Sequence, residues 1–328
     1  MLNKTHPPDH GGPSLGDPGL QPDFSISVPH HGYAWWYVDG VSDDGDHGLT
    51  IIAFIGSVFS PYYANARRRG EPDPENFVSI NTCLYGKKAK RWTMTERGRA
   101  RLRRTRDTFA IGPSAVSWAT GQLTINIDEI AVPLPRRVKG QVRVTPLCMP
   151  GKQFFLDQNA SQTWQPIAPM ARIDASFLSP SLSWSGHAYF DHNRGTIPLE
   201  KAFRCWDWSR QTTANKTRII YDVTERDGGK RNLALEIASD GSIVAFAPPP
   251  RVALPSSLWR ITRETRTDPG TKATVIDTLE DTPFYARSLL QTTCLGDTAA
   301  SVHESLDLDR FSSRIVQGML PFRMPRRA

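Results

Sequence analysis

One carboxylic acid in this sequence is surrounded by aromatic residues. Asp191 lies in the run Trp184–Asn193 (WSGHAYFDHN), which is followed by Cys205–Arg210 (CWDWSR), and both runs have the aromatic composition of β-strands. An aromatic pocket disfavours a carboxylate, so it would raise the pKa of Asp191 and keep the acid protonated near neutral pH. Such an acid suits protonation of an unreactive carbon–carbon double bond. The alternative interpretation is an ordinary β-core in which Asp191 precedes a turn.

The elements that must position this acid are predicted to be mostly β-strands, because alternating apolar residues are interrupted by turn residues. The predicted strands are Tyr33–Val38, Leu49–Ile55, residues 123–127, Arg218–Val223, Leu233–Ile237, Ser242–Ala247, Ala273–Thr278 and Ala286–Gln291. The first two should form a hairpin, and those between residues 218 and 247 a three-stranded meander. Only Pro61–Arg69 and Ser312–Met319 are predicted to be helical.

This pattern predicts an all-β fold, a barrel or sandwich with few short helices. The 328 residues are enough for two domains. We expect a disordered tail over residues 1–24, one β-domain over residues 25–195 and a second over residues 196–328, packed side by side. That division places Asp191 near the seam between the domains, where small-molecule sites are common.

The composition excludes several classes of protein. Hydrophobic residues make up 39% and charged residues 22% of the chain, as in globular proteins. The four cysteines are scattered, which favours reduced, buried thiols over a disulfide framework or a zinc site. The first 22 residues lack the apolar core of a signal peptide, and no apolar run reaches the roughly 18 residues that span a bilayer. We therefore expect a soluble or membrane-peripheral protein.

Positive charge is concentrated in two places. Residues 87–107 hold ten Lys or Arg against two acidic residues, a local charge of +8 compared with +7 for the whole chain. Such a cluster attracts phosphate on anionic lipid or nucleic acid, although a solvated hairpin without a partner is an equal alternative. Nucleic acid is not expected, since no nucleic-acid-binding motif accompanies the charge. Arg323, Arg326 and Arg327 follow Met319–Phe322, which also suits a membrane surface.

Several segments carry a family resemblance. They are His31–Ala64, Arg91–Gly98 (RWTMTERG), Pro166–Pro169 (PIAP), Gly186–Gly195 (GHAYFDHNRG), Trp206–Arg210 (WDWSR), Thr282–Ser288 (TPFYARS) and His303–Arg327. Together they resemble the carotenoid 1,2-hydratases, also called hydroxyneurosporene synthases. The resemblance implies two lipocalin-like β-domains and no redox cofactor or metal. It also implies addition of water to the terminal C1=C2 double bond of an acyclic carotenoid such as neurosporene or lycopene.

The same resemblance assigns residues to the reaction. The family's Y-x-D motif matches Tyr189–Asp191, and the aromatic residue before PIAP matches Trp164. Asp191 is then the proton donor, while Trp164 and Tyr189 stabilise the carbocation, with Trp206 or Trp208 as alternatives for that role. Gln162 occupies a position where the family often has histidine, and glutamine can only hydrogen-bond a water there.

Further residues are expected to line the substrate site: Trp36, Trp184, His187, Trp206 and Trp208. His187 alternates with Tyr189 and Asp191, so it should share their face of the strand. The proton of the attacking water would pass to the conjugate base of Asp191 or to a second group such as Asp207. However, Asp207 should point away from its neighbouring tryptophans in a regular strand, which favours a structural role.

The remaining carboxylates are weaker candidates for the site. Asp39 is expected at a strand end, and Glu304 and Asp307 are expected to be solvated. Two alternatives to a hydratase stay open, a related pericyclase or isomerase and a non-catalytic carrier of a hydrophobic polyene. The expected location is the cytoplasmic side of the inner or intracytoplasmic membrane, in contact with anionic lipid. The preferred carotenoid and the oligomeric state are left open.

Overall fold

The computed structural model describes residues 19–70, 72–86 and 90–327. Most of them lie in antiparallel strands. In chain order the strands are β1 (Tyr33–Ser42), β2 (Gly48–Ile55), β3 (Val78–Tyr85), β4 (Arg91–Met94), β5 (Glu96–Arg97), β6 (Leu102–Arg104), β7 (Thr108–Ile111), β8 (Ser114–Ala119), β9 (Gln122–Ile130), β10 (Arg137–Cys148), β11 (Phe154–Phe155), β12 (Gln162–Ser179), β13 (Leu182–Gly195), β14 (Phe203–Thr212), β15 (Lys216–Glu225), β16 (Lys230–Ala238), β17 (Ile243–Ala245), β18 (Arg251–Ala253), β19 (Glu264–Arg266), β20 (Thr274–Asp281), β21 (Tyr285–Cys294), β22 (Asp297–Asp307) and β23 (Arg326–Arg327). The α-helices are α1 (Pro61–Arg69), α2 (Leu199–Ala202), α3 (Leu308–Phe311) and α4 (Arg314–Met319).

The first sheet is a curled half-barrel. Its order is β23-β5-β3-β2-β1-β13-β12-β10-β9-β8-β7-β6, with β4 paired to β3 and β11 paired to β12. Along β1, Ala34, Trp36 and Val38 point into the core that the curled sheet encloses. Trp35 and Tyr37 point to its outer face, into a second core. Because β1 is buried on both faces, its sequence is a continuous apolar run and not an alternating one.

The second sheet covers that outer face. Its order is β17-β16-β15-β14-β22-β21-β20. In the second core, Trp206 of β14 packs against Trp35 and Trp208 packs against Tyr37 of the first sheet. Tyr221 of β15 packs against Trp164 of the first sheet. The two sheets therefore form a sandwich whose interior is rich in aromatic rings.

The opposite face of the second sheet is polar and is covered by the β18–β19 hairpin. Arg251 of β18 pairs with Asp207 at 2.9 Å, and Arg266 of β19 pairs with Asp222 at 2.7 Å. These ion pairs attach the hairpin to the sheet, since each buried carboxylate needs a cationic partner.

The chain passes between the sheets twice. The first passage runs from Gly195, where β13 ends, through α2 to Phe203, where β14 begins. In the second, β23 pairs in parallel with β5, with Arg326 opposite Glu96. Residues 314–324 thus cross from the second sheet back to the first. The division of the chain into domains at residue 195 stays a prediction.

Most of the predicted elements are present. The hairpin of β1 and β2, the meander of β15 to β17 and helix α1 confirm the corresponding predictions. Residues 1–18 of the expected tail lie outside the described residues, but Phe24 is buried and packs on Trp36, with ring centroids 5.0 Å apart. The expected tail is therefore wrong at its end, because Phe24 is a core residue. Among the described residues, no helix is long and apolar enough to cross a membrane.

Candidate active site

A cavity of about 540 Å³ lies between the two sheets. This volume is typical of small-molecule sites. The side chains around it are mainly aromatic and aliphatic, and a few polar ones converge among them. Apart from tyrosines, the polar members are Thr50, Asn81, Asp191, Asn193, Glu280, Thr282, Glu304 and Arg323. The cavity therefore offers a dry environment for an apolar ligand and a small set of groups for chemistry.

Asp191 enters this cavity from the central strand β13, directly opposite Tyr37 of β1. Its Oδ2 accepts hydrogen bonds from Trp164 Nε1 at 2.8 Å and from the Tyr189 hydroxyl at 2.7 Å. Its Oδ1 is buried and has no hydrogen-bond partner among the described residues. With both donors on Oδ2, Oδ1 is the oxygen available to carry an acidic proton.

Burial raises the pKa of Asp191 to about 8. The residue is 3% exposed, and desolvation of its charged form is the largest cause. The hydrogen bonds from Tyr189 and Trp164 stabilise the carboxylate and oppose this shift, while the negative charges of Glu304 and Asp39 add to it. With a pKa of about 8, Asp191 is mostly protonated at neutral pH.

Aromatic rings form the wall beside this acid. Trp206 and Trp208 line the cavity, and their indole Nε1 atoms have no hydrogen-bond partner in the described chain. Ring faces that line a dry cavity attract a cation. Trp164 and Tyr189 are fully buried and are not among the lining residues, so the expectation that their rings stabilise a carbocation is corrected. Trp164 packs edge-on against Tyr221, with ring centroids 5.2 Å apart.

Gln162 is also buried, but it connects protein segments and does not line the cavity. Its Oε1 accepts a hydrogen bond from the Tyr33 hydroxyl, and its Nε2 donates to the Ile197 carbonyl at 3.3 Å. The side chain thus joins β12 to the passage between the sheets. Its partners are protein groups, and the expectation that it binds a substrate-side water is not supported by this arrangement.

Besides Gln162, three of the predicted substrate-binding residues lie away from the cavity, and the prediction is corrected for all four. Trp36 is inside the curled sheet, where its ring stacks on His192 at 4.9 Å. Trp184 packs on the same inner core. His187 alternates with Asp191 along β13, but its side chain is exposed and lies 3.6 Å from Asp43.

Two expectations about carboxylates are also corrected, those for Asp39 and Glu304, whereas Asp207 has the structural position that the sequence favours for it. Asp207 is on the polar face of the second sheet, where Ser305 and Arg251 bind it, so it is separated from the cavity by its own strand. Glu304, expected to be solvated, lines the cavity. Sequence reasoning missed it although a signal exists: Val302 and Leu306 flank it at the spacing of one strand face, and both are buried.

A charged network surrounds Glu304. Its Oε1 accepts hydrogen bonds from the Tyr37 hydroxyl at 3.1 Å and from Arg287. Arg287 also pairs with Asp39 at 3.2 Å, and Asp39 pairs with Arg210. Asp39 is thus a buried member of this network. Two carboxylates and two guanidinium groups balance one another, which is what allows four charges to be buried together.

The fold and this arrangement define a class of protein: an enzyme of two packed β-units that presents a buried carboxylic acid to an aromatic cavity. A family model described as "Carotenoid hydratase CrtC" matches residues 51–328. The chain belongs to the carotenoid hydratase family.

Individual relatives agree with this membership. The chain is 54% identical over 317 residues to an acyclic carotenoid 1,2-hydratase of Thiocapsa roseopersicina, with 96% of this chain and 78% of the relative covered. It is 53% identical over 310 residues to the acyclic carotenoid 1,2-hydratase of Rubrivivax gelatinosus, covering 94% and 76%. A solved structure described as an AttH protein of Nitrosomonas europaea has the same fold, with a TM-score of 0.56 at 15% identity, covering 83% of this chain and 91% of that one.

Proposed function

We propose that this hydro-lyase adds water to the terminal C1=C2 double bond of an acyclic carotenoid, neurosporene or lycopene, and forms the 1-hydroxy-1,2-dihydro product. The observation that carries the proposal is the buried Asp191, whose pKa is raised by burial, at the wall of an apolar cavity. An alkene has no polar group that the enzyme could polarise. The enzyme must therefore supply a strong proton donor and exclude bulk water. Family membership supports the same reaction.

The first step is proton transfer from Asp191. The π electrons of the double bond take the proton from Oδ1 at C2, the less substituted carbon, and leave a tertiary carbocation at C1. The faces of Trp206 and Trp208 are placed to stabilise this cation, at about 1–2 kcal/mol for each desolvated contact. Trp164 and Tyr189 hold the acid through its Oδ2 and so keep Oδ1 directed at the substrate.

In the second step, water attacks C1 and loses one proton to a base. The product gains one hydrogen at C2 and one hydroxyl at C1, and Asp191 is protonated again before the next turnover. Asn193 is assigned to hold the water, because this residue lines the cavity and its side-chain amide can donate a hydrogen bond.

Labelled water tests this reaction directly. In H₂¹⁸O the enzyme should convert lycopene to a product that carries one ¹⁸O for each hydrated end, measured by mass spectrometry. A pericyclase or isomerase would release a product without label, and a carrier would return unmodified lycopene. Either result would contradict the proposed function.

We also propose that the enzyme takes its substrate from an anionic membrane, at the segment of residues 314–323. Ile315 and Phe322 are 79% and 78% exposed, and Met319 is also exposed. Met319 and Phe322 line the cavity at its rim, so the apolar surface continues into the site. Arg314 and Arg323 are exposed beside them. Apolar side chains flanked by cations suit an anionic lipid surface.

The arginine-rich segment is a weaker candidate for this contact. Lys87 and Lys88 lie outside the described residues. Three of the arginines are engaged by acidic residues: Arg97 with Glu129, Arg99 with Asp73 and Glu75, and Arg104 with Glu75. Much of the local charge is therefore neutralised within the protein, while Arg101, Arg103 and Arg106 stay exposed.

The double variant Ile315→Ser and Phe322→Ser should weaken binding to phosphatidylglycerol vesicles at least tenfold, measured by co-sedimentation. Each buried apolar side chain contributes about 1.5–3 kcal/mol to such binding, so the loss of two should reduce the affinity for the vesicles more than tenfold. Leu178→Ser is the matched control, since Leu178 is 76% exposed and lies at the far end of β12. Unchanged binding of the double variant, or an equal loss in the control, would exclude this surface.

The proposed location is the cytoplasmic side of the membrane that dissolves the carotenoid. All four cysteines are free thiols, and three of them are buried. Unpaired thiols are typical of a reducing compartment.

A further inference from the structure

The base that receives the proton of the attacking water is not Asp207, which lies on the wrong face of its sheet. The cavity itself offers Glu280 and Glu304 besides Asp191. Glu280 is hydrogen-bonded to the Tyr85 hydroxyl and also lines a neighbouring surface groove. Asp39 is 1% exposed and is enclosed by two guanidinium groups. Glu304 lines this cavity and not the neighbouring groove, and both Tyr37 and Arg287 hold its carboxylate there.

We infer that Glu304 is the catalytic base that deprotonates the attacking water, an inference that rests on the proposed hydration. Asp191 comes from the first sheet and Glu304 from the second, so the two groups face the cavity from opposite walls. A polyene end held between these walls has the proton donor on one face of its double bond. The water that attacks C1 is then on the other face, beside Glu304.

The surroundings of Glu304 suit this task. Tyr37 and Arg287 hold Oε1, and Tyr285 also donates to the carboxylate. A carboxylate has about four acceptor positions, which leaves room for one water. Burial raises the pKa of Glu304, while Arg287 opposes that change and keeps a negative form accessible. The charge of Glu304 in turn helps to raise the pKa of Asp191, so the pair is separated into an acid and a base.

Deuterium exchange separates this role from a structural one. When Glu304→Gln is incubated with lycopene in D₂O, Asp191 should still deuterate C2, but the cation should mostly revert by losing a proton. Recovered lycopene should gain deuterium at its ends, while hydration falls about 10²–10⁴-fold, the usual contribution of a general base. The wild type should hydrate, and Asp191→Asn should neither hydrate nor exchange.

A second variant, Glu304→Asp, provides a control in case Glu304→Gln does not fold. Glu304→Asp keeps a negative charge near Arg287 but withdraws it from the cavity, so it should also exchange faster than it hydrates. Hydration at the wild-type rate in Glu304→Gln would overturn the inference, as would loss of exchange and hydration together in both variants. If Asp191→Asn still hydrated lycopene, the assigned acid would fail, and this outcome is distinct from failure of Glu304 alone.

Discussion

Replacement of Asp191 by asparagine should lower the hydration of lycopene by about 10⁴-fold, the upper end of what a general acid contributes. Asparagine has nearly the same volume, and its carbonyl oxygen can still accept the hydrogen bonds of Trp164 and Tyr189. Its amide cannot deliver a proton to carbon. The loss should therefore appear in turnover, measured as 1-hydroxy product by chromatography of the pigments.

Asp207→Asn is the matched control for this variant. Asp207 is also an aspartate with a pKa raised to about 7 by burial, but it lies on the polar face of the second sheet. Its replacement should leave hydration within a few-fold of wild type. Near-normal turnover in Asp191→Asn, or an equal loss in both variants, would remove Asp191 from the mechanism. Thermal unfolding of each variant establishes that the comparison is made between folded proteins.

Hydratase activity should fall as the pH rises through about 8. Only the protonated form of Asp191 donates a proton, and its pKa is about 8, so kcat/KM should drop tenfold for each further pH unit. A solvated aspartate would already be ionised above pH 5. A profile that declines between pH 4 and 6, or that stays flat up to pH 10, would contradict the protonated acid.

The same pKa can be checked without substrate. Because folding raises the pKa of Asp191 above its unfolded value, the stability that its protonated form confers is complete below about pH 4. It is lost progressively as the pH rises toward 8. Between pH 5 and pH 8, the free energy of unfolding should therefore fall less in Asp191→Asn than in the wild type. Denaturant unfolding at the two pH values measures this difference.

The local parts of this fold follow from the sequence. The β1–β2 hairpin, the β15–β17 meander and helix α1 were predictable because their periodicity and turn residues are contained within short segments. Helix α1 even begins at a proline after the capping residue Ser60 and ends before Gly70, which has a φ of 81°. The burial of Asp191 among aromatic residues could also be predicted, because several of these residues are close to it in sequence.

The rest of the site depends on which face of each strand meets the second sheet. Trp35 and Trp36 are adjacent and equally apolar, yet Trp35 lines the cavity and Trp36 is inside the curled sheet. No local pattern distinguishes them, because both faces of β1 are buried. His187 alternates with Asp191 along β13, yet its side chain is exposed because the second sheet does not cover it. Packing of the second sheet on the first determines which of these side chains reach the cavity. This packing involves residues far apart in the chain, so local sequence patterns do not reveal it.

The acid and the opposite wall of this site are supplied by different halves of the chain. Asp191 and its two donors belong to strands β12 and β13, whereas Trp206, Trp208 and Glu304 belong to strands β14 and β22. The hydrogen bonds that hold the proton donor consequently come from one half, whereas the proposed base Glu304 and two of the aromatic rings that face the hydrocarbon come from the other. Protein engineers who seek new terpenoid substrates can therefore vary Trp206 and Trp208 while retaining Asp191, its two hydrogen-bond donors and Glu304.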